Sequence, residues 1–355
     1  MANYLLMIDS FKDCLTSTEA EEAAKQAIIQ CDNKAKVRCI PATDGGEGMI
    51  DAFLAITTGQ RMNVMVHNPI KQCIKAQYAI TKNGVALIET AQAVGLHLVP
   101  KALRNPLTAT SYGVGEIVVD ARKKGCKQFI VGLGGTCTCD GGMGMWQAIN
   151  DLTENKKDVK DYFSDCYFLL ASDVTNPLCG SKGAARIFAP QKGATPGMVI
   201  KIEEKLQQVA KHNEQLYGYD CSTMTGAGAA GGLGYAFMQY LKAKCTSGVN
   251  LLLNYMNFDS LVKDYDVVIT GEGSADAQTL MGKLPFGIMQ RAKAQSVPTW
   301  LIAGKIQNRD VLLKAGFERM ICINPPHSPL QEAMQKEVAL RRIRENLRCE
   351  INKMK

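Results

Sequence analysis

Five short stretches hold the residue types that phosphate chemistry uses: DSFKD (Asp9–Asp13), TDGGEG (Thr43–Gly48), GLGGTCTCDGGMG (Gly132–Gly144), TGAGAAGGLG (Thr225–Gly234) and TGEGSADAQTLMGK (Thr270–Lys283). Each follows a strand-like run or opens a helix-like one. Glycines at such turns let backbone N–H groups approach an anion, and a helix N-terminus adds a partial positive charge. Carboxylates can hold magnesium, and a lysine can neutralise charge that develops on a transferred phosphoryl group. Taken singly, a glycine-rich turn serves close packing of chain on chain at least as often. Four of the five carry a carboxylate, and that combination reads as a phosphate-handling α/β enzyme.

Other chemistries fit less well. Cys137 and Cys139 lie one residue apart, but the thirteen cysteines are scattered, with no C-x-x-C and no histidine beside that pair. They read as small apolar fillers kept reduced, not as a zinc or redox site. Gly226–Gly231 matches G-x-G-x-x-G by letter. It follows DCSTMT and not a strand, so the dinucleotide context fails, and no G-x-x-x-x-G-K-[ST] occurs.

The elements that would position these turns change character along the chain. YLLMID, STEAEEAAKQAIIQ, KVRCIPA and the helix after TDGGEG alternate strand and helix, as a parallel sheet requires. RMNVMVHNPI, CIKAQYAITKNG and VALIETA then follow one another as strands, with a hairpin signal at TKNG. The alternating pattern returns with YDVVITGEG, VPTWLIAGKI and RMICINPP, and a long helix closes the chain. The expectation is two domains, as 355 residues allow. One is an α/β domain from residues 1–65 and 260–355, and the other a mixed-sheet α/β insertion at 66–259.

The net charge of +7 is spread thinly, and the C-terminal ALRRIRENLRCEINKMK interleaves its cations with glutamate. That suits a solvated helix face and argues against a nucleic-acid partner. No apolar run approaches the ~20 residues of a membrane span, and no leader is evident, so the chain reads as cytoplasmic.

In collinear order over nearly the whole chain, the motifs resemble the ATP-dependent glycerate kinases of the bacterial type-1 family. That family reads roughly D-S-F-K-G, A-D-G-G-E-G, R-N-P-L…T-x-G-x-G-E and G-G-S-A-T-N-D-G-G-x-G-M, where this chain has DSFKD, ATDGGEG, RNPLTATSYGVGE and GGTCTCDGGMGM. It continues with D-V-x-N-P-L-x-G, P-Q-K-G-A, P-G-A-G-A-A-G-G-L-G and T-G-E-G-x-x-D-x-Q-T-x-x-G-K, matched by DVTNPLCG, PQKGATP, TGAGAAGGLG and TGEGSADAQTLMGK. The departures are Asp13 for glycine, Thr136–Cys139 for Ser-Ala-Thr-Asn, and Ser274–Ala275–Asp276 for Arg-Leu-Asp.

The resemblance implies that the terminal domain is flavodoxin-like and discontinuous. It implies ATP as phosphoryl donor, Mg²⁺, and D-glycerate as acceptor, with 2-phosphoglycerate as product and 3-phosphoglycerate as the alternative. The partners are then small molecules, without nucleic acid or membrane, and the chain is a monomer or homodimer. A non-catalytic sugar-acid sensor of the same fold, or a kinase of a related hydroxy acid, are the rival readings.

Roles follow residue by residue. Lys12 is expected at the transferred phosphoryl or the glycerate carboxylate, with Ser10 in the same turn; the plain alternative is a surface lysine beside a helix cap. Asp44 binds metal or hydroxyl, or caps a helix. Asp276 or Glu272 acts as base toward the hydroxyl, Glu272 and Asp173 are candidate magnesium ligands, and Lys283 binds phosphate. Arg104 forks onto the substrate carboxylate or pairs with a structural acid. Gly45, Gly46, Gly134, Gly135 and Gly271 lend backbone to an anion, with Asp140 and Lys192 beside it.

Overall fold

The computed structural model describes residues 2–11, 14–43, 45–46, 48–153 and 159–353, with the backbone alone at 159 and 160. The chain opens with β1 (Asn3–Ile8), α1 (Ser17–Cys31), β2 (Lys36–Cys39) and α2 (Met49–Ile56). Its middle runs through β3 (Gly59–His67), β4 (Cys73–Thr81), β5 (Val85–Glu89), α3 (Tyr112–Lys123), β6 (Gln128–Gly132), α4 (Met143–Thr153), β7 (Tyr167–Ala171), α5 (Pro196–Tyr217), α6 (Leu233–Leu241) and β8 (Lys244–Thr246). It ends with β9 (Val267–Ala275), α7 (Leu284–Ala294), β10 (Thr299–Ile306), β11 (Arg319–Cys322) and α8 (Lys336–Asn352), with shorter helical turns between.

Local chemistry sets the helix ends. Thr16 caps α1: its hydroxyl accepts from Glu19 N–H (3.2 Å) while the Glu19 carboxylate accepts from Thr16 N–H (3.0 Å). This reciprocal box satisfies two donors that the first turn leaves unpaired, and losing such a cap costs about 1 kcal/mol. In α5, Thr195 caps, Pro196 occupies the first turn, and Gly218 closes the helix in the left-handed region at φ 74°.

The chain divides into two compact units: Met1–Asp44 with Asp51–Ile56 and Val249–Lys355, and Gly45–Ile50 with Thr57–Gly248. The first unit is thus assembled from both ends of the chain. The boundary expected at residues 65 and 66 falls inside β3. That strand pairs with β4 without a break from Gly59 opposite Thr81 to His67 opposite Cys73, so it stays whole in the second unit.

The first unit holds a five-stranded sheet in the order β11-β10-β9-β1-β2, parallel throughout. Counted within the unit this is the flavodoxin-like 2-1-3-4-5 order, whose direction reverses between β1 and β9. The strands are apolar runs because both faces are covered. Leu6, Ile8 and Ile302 pack with α1 and α8, while Leu301 and Ala303 pack with Met289 and Leu312.

The second unit holds a six-stranded sheet in the order β3-β4-β5-β6-β7-β8. β3, β4 and β5 are antiparallel and β5 to β8 parallel, the mixed sheet read from the sequence. Helix α6 is buried along its whole length. Among the described residues no helix is long and apolar enough to cross a membrane.

Candidate active site

In the first unit the motif residues collect at the carboxyl ends of β1 and β9, where the strand order reverses and open α/β sheets bind ligands. Asp9 N–H donates to the Gly271 carbonyl (2.9 Å), joining the two strand ends, and Ser10 N–H donates to Asp9 Oδ1 (2.7 Å). Gly271 itself lies within β9, opposite Ile8 and Ile302. A Cβ there would meet the Ile302 carbonyl oxygen at 2.3 Å. Close approach of β10 therefore explains this glycine, which was expected to lend backbone to an anion.

Beyond β9 the chain folds into a short helical turn, Ala277–Met281, and enters α7 at Lys283. Glu272 is buried, and both its oxygens are engaged: Oε1 accepts from the Thr279 hydroxyl (2.6 Å) and Oε2 from the Lys283 ammonium (2.7 Å). The Lys283 side chain is 43% exposed. It has no other partner among the described residues, so two of its three N–H groups remain for a ligand. Asp276 caps the short turn, Oδ1 accepting from Gln278 N–H (2.7 Å) within a capping box that also ties the Thr279 hydroxyl to the Asp276 N–H (3.1 Å).

In the second unit the motif loops pack on one another at the carboxyl ends of β5, β6 and β7. Gly134 lies against Gly46, where a Cβ would come within 2.9 Å of the Gly46 Cα. Gly45, at φ 95°, sits against Ala171 at the end of β7. The Gly135 carbonyl accepts from Leu96 N–H (2.9 Å), and Gly141 N–H donates to the Gly231 carbonyl (3.0 Å). Gly45 and Gly46, GLGGTCTCDGGMG and TGAGAAGGLG, separate in the sequence, are here interlocked through backbone.

The charged groups of this interlocked backbone mostly build it. Asp140, expected to meet substrate or phosphate, accepts from Ser111 N–H (2.8 Å), the Ser111 hydroxyl (2.8 Å), Gly144 N–H (3.1 Å) and Gly142 N–H (3.0 Å). It thus staples the start of α4 to the start of α3. Arg104 turns Nε and Nη2 onto the carbonyls of Val99 (3.1 Å) and Leu96 (2.9 Å), so its fork is committed to backbone and not presented whole to a carboxylate. Lys192 is 3% exposed and donates to Thr136 Oγ1 (3.0 Å) and the Thr138 carbonyl (2.7 Å). Among the described residues it makes no ion pair with a carboxylate, and burial pushes its ammonium pKa down. Asp173 lies exposed beyond β7. Lys12 and Asp44 lie outside the described residues.

Cys137 and Cys139 are buried between these groups, and burial pushes the Cys139 thiol up to about 11. The protonated thiols are packing groups, since metal binding needs the thiolate. Among the described residues no group of three or more His, Cys, Asp or Glu could hold a metal. With both Glu272 oxygens given to hydrogen-bond donors, the described side chains do not form a preset magnesium site.

Three partners were not legible beforehand. Ser111 accepts from Met145 N–H (2.9 Å) through the oxygen that donates to Asp140. Glu89, buried at the end of β5, accepts from Ile50 N–H (2.8 Å). Thr279 fixes Glu272. Only a serine before a helix-like run and a glutamate ending an apolar strand hinted at the first two.

Residues 4–351 match the profile of the glycerate kinase family. A glycerate kinase of Halalkalibacterium halodurans is 38% identical, the match spanning 95% of this chain and 94% of that one. A glycerate 2-kinase of Escherichia coli is 35% identical over 92% of each chain. A crystal structure of a Salmonella typhimurium LT2 protein designated glycerate kinase 2 superposes with a TM-score of 0.83 at 31% identity, covering 99% of this chain and 98% of that one.

Proposed function

Because this chain belongs to the glycerate kinase family, a family of kinase enzymes, we propose that it transfers the γ-phosphoryl group of ATP to D-glycerate. The observation that carries most weight is the Glu272–Lys283 pair at the end of β9. A half-exposed ammonium, held by a buried carboxylate and a fixed threonine, suits charge developing on a phosphoryl group.

In the proposed reaction a glycerate hydroxyl oxygen bonds to the γ-phosphorus. The bond from phosphorus to the β–γ bridging oxygen breaks, and ADP leaves with the electron pair. The hydroxyl proton passes to the Asp276 carboxylate, which caps the helical turn beside Glu272 and Lys283. Lys12 and Asp44 are proposed, on the resemblance alone, to bind the phosphoryl or glycerate carboxylate and the hydroxyl respectively. Lys192 acts through the Thr136–Thr138 backbone it holds, as a positioning residue. A magnesium ion carried by ATP would be held largely by phosphates and water, and would supply charge neutralisation at the transferred phosphoryl group. All thirteen cysteines are free thiols, which supports a cytoplasmic setting.

We take 2-phosphoglycerate as the product, as the name of the Escherichia coli relative suggests. Purified protein with Mg–ATP and D-glycerate should release ADP, and EDTA should stop the release. Enolase alone should convert the product, because 3-phosphoglycerate would first need a mutase. A sensor of the same fold would bind glycerate and release no ADP, and that result would sink the proposal.

A further inference from the structure

Helices α4, α5 and α6 of the second unit, with Cys139 and Asp140 at one end, line an open cavity of about 610 Å³ to which the roles above assign no ligand. This lies within the roughly 300–1,000 Å³ of small-molecule pockets. One wall is the stacked pair Trp146 and Tyr240, with ring centroids 4.3 Å apart and planes at 12°. Such a pair offers a flat apolar surface to a second flat ring.

The cavity also contains a buried polar group with unused capacity. Asn213 is 4% exposed and lines it. Its Nδ2 donates to the Tyr235 hydroxyl (2.9 Å) and the Tyr240 hydroxyl (2.7 Å). The Tyr240 hydroxyl in turn donates to Met143 Sδ (3.7 Å), and in this arrangement it accepts from Asn213. Both Nδ2 hydrogens are then used, while Oδ1 has no partner among the described residues. As part of the lining, that carbonyl oxygen can accept a hydrogen bond from a ligand in the cavity. The exposed side chain of Lys205, also part of the lining, puts a cation on the α5 side, while the Asp140 carboxylate, another lining group, is held by its four donors.

We propose that this cavity binds a planar aromatic heterocycle carrying a ring N–H and an acidic substituent. The ring lies against Trp146 and Tyr240, its N–H donates to Asn213 Oδ1, and the acid faces Lys205. This site is independent of the phosphoryl-transfer reading, and its test needs no turnover.

The probes are indole-3-acetate, its 1-methyl analogue and indole, titrated calorimetrically into the full chain. Indole-3-acetate should bind one to one, and the methylated analogue about tenfold more weakly, as loss of one hydrogen bond to a buried acceptor implies. Lys205→Ala, a surface change, should weaken indole-3-acetate and leave indole unaffected. Absence of saturable binding, or equal binding of the methylated and unmethylated acids, would overturn the proposal without reference to any variant. Equal losses for indole and its acid in Lys205→Ala would overturn the assignment of the acid contact.

Discussion

The Thr270–Lys283 loop of the first unit and the Gly132–Gly144 loop of the second use the same alphabet of glycine, carboxylate and, from within the loop or from elsewhere in the chain, lysine. They spend it differently. In the first, Glu272 is buried so that Lys283 can stand half-exposed with two N–H groups to offer. In the second, Asp140 is saturated by four donors and Lys192 is sealed inside, so that charge holds backbone in place. A motif charge is therefore left open to solvent in one loop and committed to the protein in the other. Exposure of the cation separates the two cases.

The largest effect that would sharpen this contrast is on turnover. Lys283→Ala should lower kcat by roughly 100- to 1000-fold, the loss of about 3–4 kcal/mol of charge stabilisation, with little change in Tm. A near wild-type kcat would remove Lys283 from the chemistry and break the comparison on its active side.

Asp140→Ala should do the reverse. It strips the acceptor from donors at the start of two helices and should destabilise the second unit by about 3 kcal/mol in denaturant unfolding. An unchanged midpoint together with a collapse in kcat would return Asp140 to the ligand-binding role expected from its motif.

Glu272→Gln tests whether the carboxylate positions the lysine. Misplacement of one catalytic group costs up to about 100-fold, so kcat should fall by about ten- to a hundredfold, less than for removal of the ammonium. A loss larger than that of Lys283→Ala would mean that Glu272 itself meets the substrate.

The smallest expected effects concern pH, and the two units should respond with opposite signs. Glu21 is buried in the first unit, and desolvation raises its carboxyl from 4.5 to about 8. The folded state then holds a proton that the unfolded chain has released. That contribution to stability is full below pH 4.5 and is lost as pH rises through about 8. Lys192, lowered from 10.5 by burial, releases its proton before the unfolded chain does, so its contribution rises with pH toward 10.5. Glu21→Gln should flatten the fall in Tm between pH 5 and 9, and Lys192→Met should flatten the alkaline rise. Identical Tm–pH profiles for wild type and either variant would show that the group does not titrate as its burial demands.

Much of the fold was legible from local pattern. The alternation of strands and helices at both ends of the chain, the strand run in the middle, and the turn at TKNG correspond to a parallel and a mixed sheet. These signals are local: a strand with both faces covered has to be apolar throughout, and a turn needs residues suited to it. The candidate site was legible as a set of motifs, and Glu272, Lys283 and Asp276 do gather at the end of β9. The purposes of Gly271, Asp140 and Arg104 were not legible, because each depends on a neighbour outside its motif: the Ile302 carbonyl, Ser111, and the carbonyls of Leu96 and Val99.

By itself the sequence determined which chemical groups exist and which turns carry them. It also determined that the chain begins and ends in the same kind of sheet. Only the tertiary structure decided which groups can reach a ligand. Lys283 finds Glu272 eleven residues away and stays open to solvent, whereas Lys192 finds Thr136 and Thr138 across more than fifty residues and is closed in. Hydrogen-bonding capacity belongs to a residue type, but desolvation belongs to what surrounds it. A lysine's sequence neighbours do not say whether distant segments will bury its ammonium or leave it in water.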